Sequence, residues 1–174
     1  VTDPEAIGTP VEAGGALVYP MPYLEPDLVR QALSDLPAQG ESGLPAPLPR
    51  SHHAVLAAAL RRLRQDLEAR RGSGDQRPAI AMPHAFITGA QPSDSERDIQ
   101  VGGVPSVSAD LFDTLGGADP LPHGLDYVAA GHLHRPQDVS GACVPIRYAG
   151  SPIAYSFSEA GATKSVTLVT TDAT

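Results

Sequence analysis

One stretch of the chain repeats leucine at the spacing of an α-helix. Successive leucines lie four, three and four residues apart, which places on one helix face Leu56, Leu60, Leu63 and Leu67. Ser51, just before this stretch, is a residue type that commonly caps helix N-termini. Arg70 and Arg71 at the far end suit the negative pole of the helix dipole. The pattern predicts an amphipathic helix that begins after Ser51, runs to about Arg71 and is closed by Gly72.

Short apolar runs bounded by Gly, Pro and polar residues predict the strands. They cover residues 16–21, 79–82, 126–130, 144–148 and 165–169. Pro20 and Pro22 indicate that the first strand ends at a sheet edge, because proline cannot donate a ladder hydrogen bond. Pro26, at a favoured first helical position, predicts a short helix to about Leu36. Strands around one long helix are typical of a layered α/β domain.

The polar segments between these elements predict long loops. Glycine and proline occupy 17 and 18 of the 174 positions, which is more than an average folded domain contains. Loops are expected at residues 37–50 and 91–98, and the polar end at 170–174 is expected to fray. The length suffices for one domain with a hydrophobic core.

The charge balance restricts how the protein could meet nucleic acid. The chain has 12 Lys and Arg residues against 20 Asp and Glu residues, a formal net charge of −8. A protein that holds DNA by phosphate contacts alone is normally basic, so the sequence argues against that class. An enzyme that meets phosphate through metal ions remains compatible with the charge, because the cations supply the positive charge.

Cysteine content and hydropathy bear on redox chemistry and location. The one cysteine, Cys143, excludes an intrachain disulfide and a cysteine-based zinc finger. The sequence has no apolar run long enough to span a bilayer and no signal-peptide pattern. We therefore expect a cytoplasmic protein without a membrane partner.

Three of the six histidines follow predicted strands. His84 comes after the strand at 79–82 and Pro83, and His132 and His134 come after Gly131, which follows the strand at 126–130. Residues two apart in extended chain point the same way, and ligand sites in α/β sheets collect at the carboxyl ends of strands. The placement is compatible with a metal site, since imidazole binds Mn, Fe and Zn ions, but also with loop histidines that bind no metal.

Other candidate side chains have simpler interpretations. His52 and His53 begin the long helix on a polar stretch and are expected to be solvated, and His123 lies in a Pro/Gly loop. Arg135, beside the histidine pair, could contact phosphate or form a surface ion pair. The basic run on the helix is expected to be a solvated face rather than a DNA track, and it comprises Arg61, Arg62 and Arg64.

A longer segment is more specific than the histidines alone. Residues 126–137 read Asp-Tyr-Val-Ala-Ala-Gly-His-Leu-His-Arg-Pro-Gln, which resembles the late metal motif of the SbcD nuclease family. The same family is similar in order and spacing at 22–27, 84–90, 93–98, 146–153, 156–160 and 164–166. The likeness covers most of the chain, with 37–50 and 113–124 as its variable parts.

The resemblance implies a fold, a cofactor and partners. SbcD subunits are calcineurin-like metallophosphoesterases, whose fold is two packed β-sheets flanked by helices. His84 and His132 would ligate one metal ion and His134 the other, and the pair of divalent ions is usually Mn²⁺. Two such ions can activate water and stabilise the leaving oxygen in hydrolysis of a DNA phosphodiester. The implied context is an ATP-dependent exonuclease of DNA repair and recombination, with an SbcC-type ATPase partner, DNA ends and a homodimer of the full-length protein.

The sequence also departs from the family pattern. The early motifs Asp-x-His, Gly-Asp-x-x-Asp and Gly-Asn-His do not occur, although Gly74 and Asp75 start like the second. The catalytic histidine belongs to those motifs, so no catalytic residue is assigned in this chain. We expect residues 1–174 to be the C-terminal portion of a phosphoesterase domain that is inactive alone.

Two alternatives stay open. Another calcineurin-like enzyme, a phosphatase or cyclic-nucleotide phosphodiesterase, also carries Gly-His-x-His, and a non-catalytic binding module would explain the missing motifs. Residues 93–98 and 156–160 favour the SbcD family because they lie outside the shared metal core. A serine mechanism through Ser151 or Ser156 with Glu159 is disfavoured, because no histidine beside them is placed as a base. The turn at 150–152 is expected to shape the rim of the site.

Overall fold

The computed structural model describes residues 3–34, 45–91 and 106–171. Most of the loops predicted at 37–50 and 91–98, the motif at 93–98 and the last three residues lie outside the described residues. The strands are β1 (Val11–Ala13), β2 (Ala16–Met21), β3 (Ala79–Pro83), β4 (Tyr127–Ala130), β5 (Gln137–Val139) and β6 (Ile146–Tyr148). The helices are α1 (Pro26–Val29), α2 (His52–Gly72) and α3 (Leu111–Thr114), with one-turn 3-10 helices at Pro4–Ala6 and Phe157–Glu159.

The strands form one mixed sheet in the order β1-β2-β3-β4-β6-β5. Neighbouring pairs among β2, β3, β4 and β6 are parallel, whereas β1 and β5 pair antiparallel at the two edges. Because the central strands are parallel, their carboxyl ends lie at one edge of the sheet. The loops that leave β2, β3 and β4 therefore begin side by side.

Helix α2 covers one face of this sheet. Ser51 caps it, since its side chain accepts a hydrogen bond from the Ala54 amide at 3.1 Å. The four predicted leucines are all buried and share one hydrophobic core with alternate strand residues such as Leu17, Tyr19 and Val128. The helix includes Gly72, with Ser73 as its C-cap, so its predicted extent is confirmed to within a residue.

The arginines of α2 hold neighbouring loops rather than facing solvent. Arg62 donates to the carbonyl oxygens of Pro4 at 2.9 Å and Ala32 at 2.7 Å. Arg64 donates to the carbonyl oxygens of Thr114 at 2.8 Å and Asp119 at 2.6 Å. The prediction of a solvated basic face was wrong for these two, because their guanidinium groups donate to main-chain carbonyl oxygens of neighbouring segments.

The α/β class is confirmed, and a mixed six-stranded sheet with few helices is compatible with part of a metallophosphoesterase domain. Among the described strands, β1 pairs only with the first half of the strand at 16–21, so that strand ends at a sheet edge on the side of Pro20, as predicted. Two other predictions about elements were wrong. The first helix ends at Val29 instead of Leu36. Residues 165–169 pair with no strand of the described chain, and Leu168 is 91% exposed.

Candidate metal-binding site at the strand ends

The parallel register of the sheet brings residues of three loops together. Tyr23 lies just beyond β2, His84 directly follows β3, and His132 lies two residues beyond β4. An isolated parallel bridge between His84 and Gly131 extends the sheet by one step at this edge. Of the three histidines that follow predicted strands, the structure therefore brings His84 and His132 together, whereas His134 contacts Glu159 instead.

The two imidazoles lie close together in an edge-to-face arrangement. His84 Nε2 and His132 Nδ1 are 3.3 Å apart, and the ring planes are nearly perpendicular at 84°. Two nitrogens that each lie about 2.1 Å from one ion at tetrahedral or octahedral angles are separated by about 3.0–3.4 Å. The observed separation thus fits two ligands of a single divalent ion.

The backbone beneath the pair is unusual. His132 has φ of +111°, a conformation that L residues rarely adopt. Gly131 lies against His84, and a Cβ at position 131 would come within 3.3 Å of His84 Nδ1. The local chain is therefore held in a strained shape that brings the two rings together, and such strain is typical of functional sites.

His134 points to a second cluster. Its Nδ1 is 2.9 Å from Oε1 of Glu159, a carboxylate that is only 3% exposed. The ring of Tyr155 packs against the ring of His134 with centroids 5.0 Å apart. Gly150 abuts the same segment, since a Cβ there would come within 2.8 Å of the His134 carbonyl oxygen. The turn at 150–152 thus packs directly against the histidine loop, the segment that follows β4 and contains His132 and His134.

Electrostatics favour neutral imidazole at His84. Partial burial against the neighbouring rings lowers its pKa, and the nearby His134 lowers it further. Neutral imidazole is the form that binds a metal ion. Among the described residues no three His, Cys, Asp or Glu side chains gather as one ligand set, so the chain offers a histidine pair and, apart from it, His134.

Two residues of the site were missed from the sequence. Tyr23 stacks on His132 with ring centroids 6.0 Å apart and planes at 10°, and it meets His84 edge-on. His52, expected to be solvated, is half-buried with Nε2 3.4 Å from the Tyr23 hydroxyl. Burial lowers the His52 pKa and Glu25 opposes that shift. The available signal was the position of His52 at the start of α2. Because α2 connects the parallel strands β2 and β3, it begins near the carboxyl end of β2.

The other candidates lie apart from the pair. His53 is exposed, as predicted. His123 lies in a turn at φ +53°, where its carbonyl oxygen accepts a hydrogen bond from Arg71 at 2.9 Å. Arg135 is exposed beside the histidine loop, and its contact with phosphate stays a prediction. Ser151 is buried and donates to the Ile153 carbonyl oxygen at 2.7 Å, a structural role.

The fold and the site define an α/β protein with histidines at the carboxyl edge of its sheet, and comparison with named proteins makes the class specific. The chain is 50% identical over 90 residues to the SbcD component of nuclease SbcCD from Bacillus subtilis (strain 168), covering 52% of this chain and 21% of that protein. It is 34% identical over 169 residues to the SbcD component of nuclease SbcCD from Escherichia coli (strain K12), covering 96% of this chain and 36% of that protein.

These matches confirm the resemblance to the SbcD nuclease family. The chain spans only 21% and 36% of the lengths of the two relatives. No family model matches the chain. In the part of the chain that the structure describes, no helix is both long enough and apolar enough to cross a membrane.

Proposed function

We propose that this chain is the C-terminal portion of the phosphoesterase domain of an SbcD-type DNA nuclease and contributes three histidines to its metal centre. His84 and His132 would hold one divalent ion and His134 the other, with Mn²⁺ as the expected metal. The observation that carries the proposal is the 3.3 Å approach of His84 and His132 at the strand ends, in a chain 34% identical to SbcD over 96% of its length.

The chain's own residues would bind the metal ions and orient the imidazole rings that hold them. The strained segment at His132 and the close packing of Gly131 on His84 fix the two rings relative to one another. Tyr23 covers one side of the pair and limits its solvation. When bound, two divalent ions supply an activated water and stabilise negative charge during phosphodiester hydrolysis. A protein of net charge −8 can meet DNA in this way, because the ions neutralise the phosphate locally.

The wider context follows the same proposal. The full-length protein would act on DNA ends in repair and recombination, together with an SbcC-type ATPase partner, as a cytoplasmic homodimer. The chain alone would lack nuclease activity, because the motifs expected to supply the catalytic histidine do not occur in it.

Calorimetric titration with Mn²⁺ tests the metal site directly. We expect the 174-residue chain to bind Mn²⁺ weakly and a His84→Ala/His132→Ala/His134→Ala variant to lose that binding. A His53→Ala/His123→Ala variant is the matched control and should bind as the unaltered chain does. Binding that survives the triple substitution would contradict the site. Cleavage of DNA ends by the purified chain would contradict its inactivity.

The full-length protein tests the substrate. We expect it to degrade DNA from its ends faster than it hydrolyses a small phosphodiester, and to lose DNA cleavage in the same triple variant. Preference for the small phosphodiester would instead favour another calcineurin-like phosphoesterase.

A further inference from the structure

We infer that Glu159 is a positioning residue that fixes the ring of His134 for metal binding through Nε2, with Lys164 as its counter-ion. The inference rests on the proposed function in one respect, since it assigns the ring nitrogen that would meet the metal. It concerns residues 159 and 164, which the histidine motif does not contain.

One ion pair holds His134 at both its side chain and its main chain. Glu159 Oε1 accepts from the ring at Nδ1, at 2.9 Å. Lys164 Nζ donates to the other carboxylate oxygen at 2.7 Å and to the His134 carbonyl oxygen at 3.2 Å. The ring and the peptide of one residue are thus fixed by the same ion pair.

The burial of the pair supports a specific role. The side chains of Glu159 and Lys164 are 3% and 16% exposed, and removing two charges from water is costly unless each finds a close partner. Further contacts satisfy the groups that remain: Lys164 also donates to Ser151 Oγ at 2.8 Å, and Glu159 Oε2 accepts from the Tyr155 amide at 3.3 Å. The cluster links the histidine loop, the turn at 150–152 and the 3-10 helix Phe157–Glu159.

The chemistry of the contact specifies the tautomer. A carboxylate only accepts hydrogen bonds, so it keeps the proton of a neutral imidazole on Nδ1. The lone pair then lies on Nε2, on the far side of the ring. Carboxylate–histidine pairs of this kind raise the basicity of the ligating nitrogen and hold the ring in one orientation. Tyr155, packed against the ring of His134, restrains the same orientation.

Nitrogen NMR of the metal-free chain tests the tautomer. We expect His134 to show the Nδ1-protonated form in the unaltered chain, and Glu159→Gln to shift the ring toward a mixture of tautomers. The double variant Glu159→Gln/Lys164→Met removes both charges together and leaves no unpaired buried charge, so it covers the case in which Glu159→Gln folds poorly. Glu68→Gln, the same change at an exposed position of α2, is the control. An unchanged His134 tautomer in a folded variant would overturn the inference.

Metal affinity provides the second readout. The two Glu159 variants should bind Mn²⁺ about 10- to 100-fold more weakly than the unaltered chain, whereas Glu68→Gln should bind equally. Equal affinity in all of them would overturn the inference. If the unaltered chain bound no Mn²⁺, the proposed metal site would fail, and the NMR result alone would decide whether Glu159 positions the ring.

Discussion

At the scale of single residues, one strained backbone position lies where the histidines meet. The described non-glycine residues with positive φ are Leu115, His123 and His132, and only His132 belongs to the pair. Holding a residue in such a conformation costs of order 1–3 kcal/mol. The packing around this end of the sheet must offset that cost for the conformation to persist.

This strain gives a prediction about His132. We expect His132→Gly to be more stable than His132→Ala by about 1 kcal/mol, because both remove the imidazole and only glycine relieves the backbone. Urea unfolding of the two variants measures the difference. The same two substitutions at His84 are the control: there the alanine variant should be at least as stable, since glycine makes the unfolded chain more flexible. Equal stability of the two variants at position 132 would show that the conformation is not strained.

The sequence predicts this site only in part. His84 and His132 could be placed together because each follows a strand of a parallel sheet. The hydrophobic runs in the sequence predict where these strands end. The partner of His134 could not be found in this way, since Glu159 lies 25 residues further along in a segment without periodicity. Tyr23 and His52 were missed because their contact joins residues 29 apart through the tertiary fold.

At the scale of elements, periodicity decides what can be predicted. Helix α2 was placed to within a residue because its leucines, cap and terminal glycine all agree. The edge strands β1 and β5 are three residues each, too short to show an alternating pattern. Residues 165–169 alternate like a strand, but they lie on the face of the sheet opposite α2, where Thr167 Oγ1 accepts a hydrogen bond from Arg147 at 3.3 Å. An alternating pattern predicts a segment with two different faces. It becomes a strand only where a neighbouring strand pairs with it.

Helix α3 shows how a four-residue element can position a strand. The Asp113 carboxylate accepts from the Cys143 amide at 2.8 and 3.0 Å and from the Val144 amide at 2.9 Å. Both amides lie just before β6, which forms the sheet neighbour of β4. This carboxylate therefore fixes the approach of β6 to the strand that leads to His132.

We expect Asp113→Ala to lower the free energy of unfolding by about 1–3 kcal/mol, because it leaves two main-chain donors without their acceptor. Asp113→Asn should lose less, since its amide oxygen can still accept. Chemical denaturation measures both variants, and Asp119→Ala is the control because Asp119 is exposed on the same connection. A loss at Asp113 no larger than the loss at Asp119 would argue against the anchoring role.

At the scale of the whole molecule, the two faces of the sheet differ. Parallel strands are normally covered on both faces, and α2 covers one of them. On the other face the alternate strand residues are only partly covered, and Met82 in the central strand β3 is 46% exposed. Val169 lines the same surface depression as Met82. The described residues therefore present an apolar sheet face to solvent.

Two opposing forces act between copies of the chain, because it has an apolar face and a net charge of −8. Apolar contact favours association, and like charge opposes it over a Debye length of about 10 Å at 0.1 M salt. We expect self-association to strengthen as salt rises, because screening removes the repulsion and leaves the apolar attraction. Association through ion pairs would weaken instead.

Sedimentation over a range of protein and salt concentrations measures this balance. Met82→Lys should weaken self-association at every salt concentration, because it places a charge in the centre of the open face. Leu28→Lys changes the net charge equally at a site that is 80% exposed on α1, so it separates the effect of position from that of charge. If both substitutions had the same effect, net charge alone would govern association and the open face would have no part in it. If Met82→Lys alone weakened association, the contact would lie on the face of the sheet opposite α2.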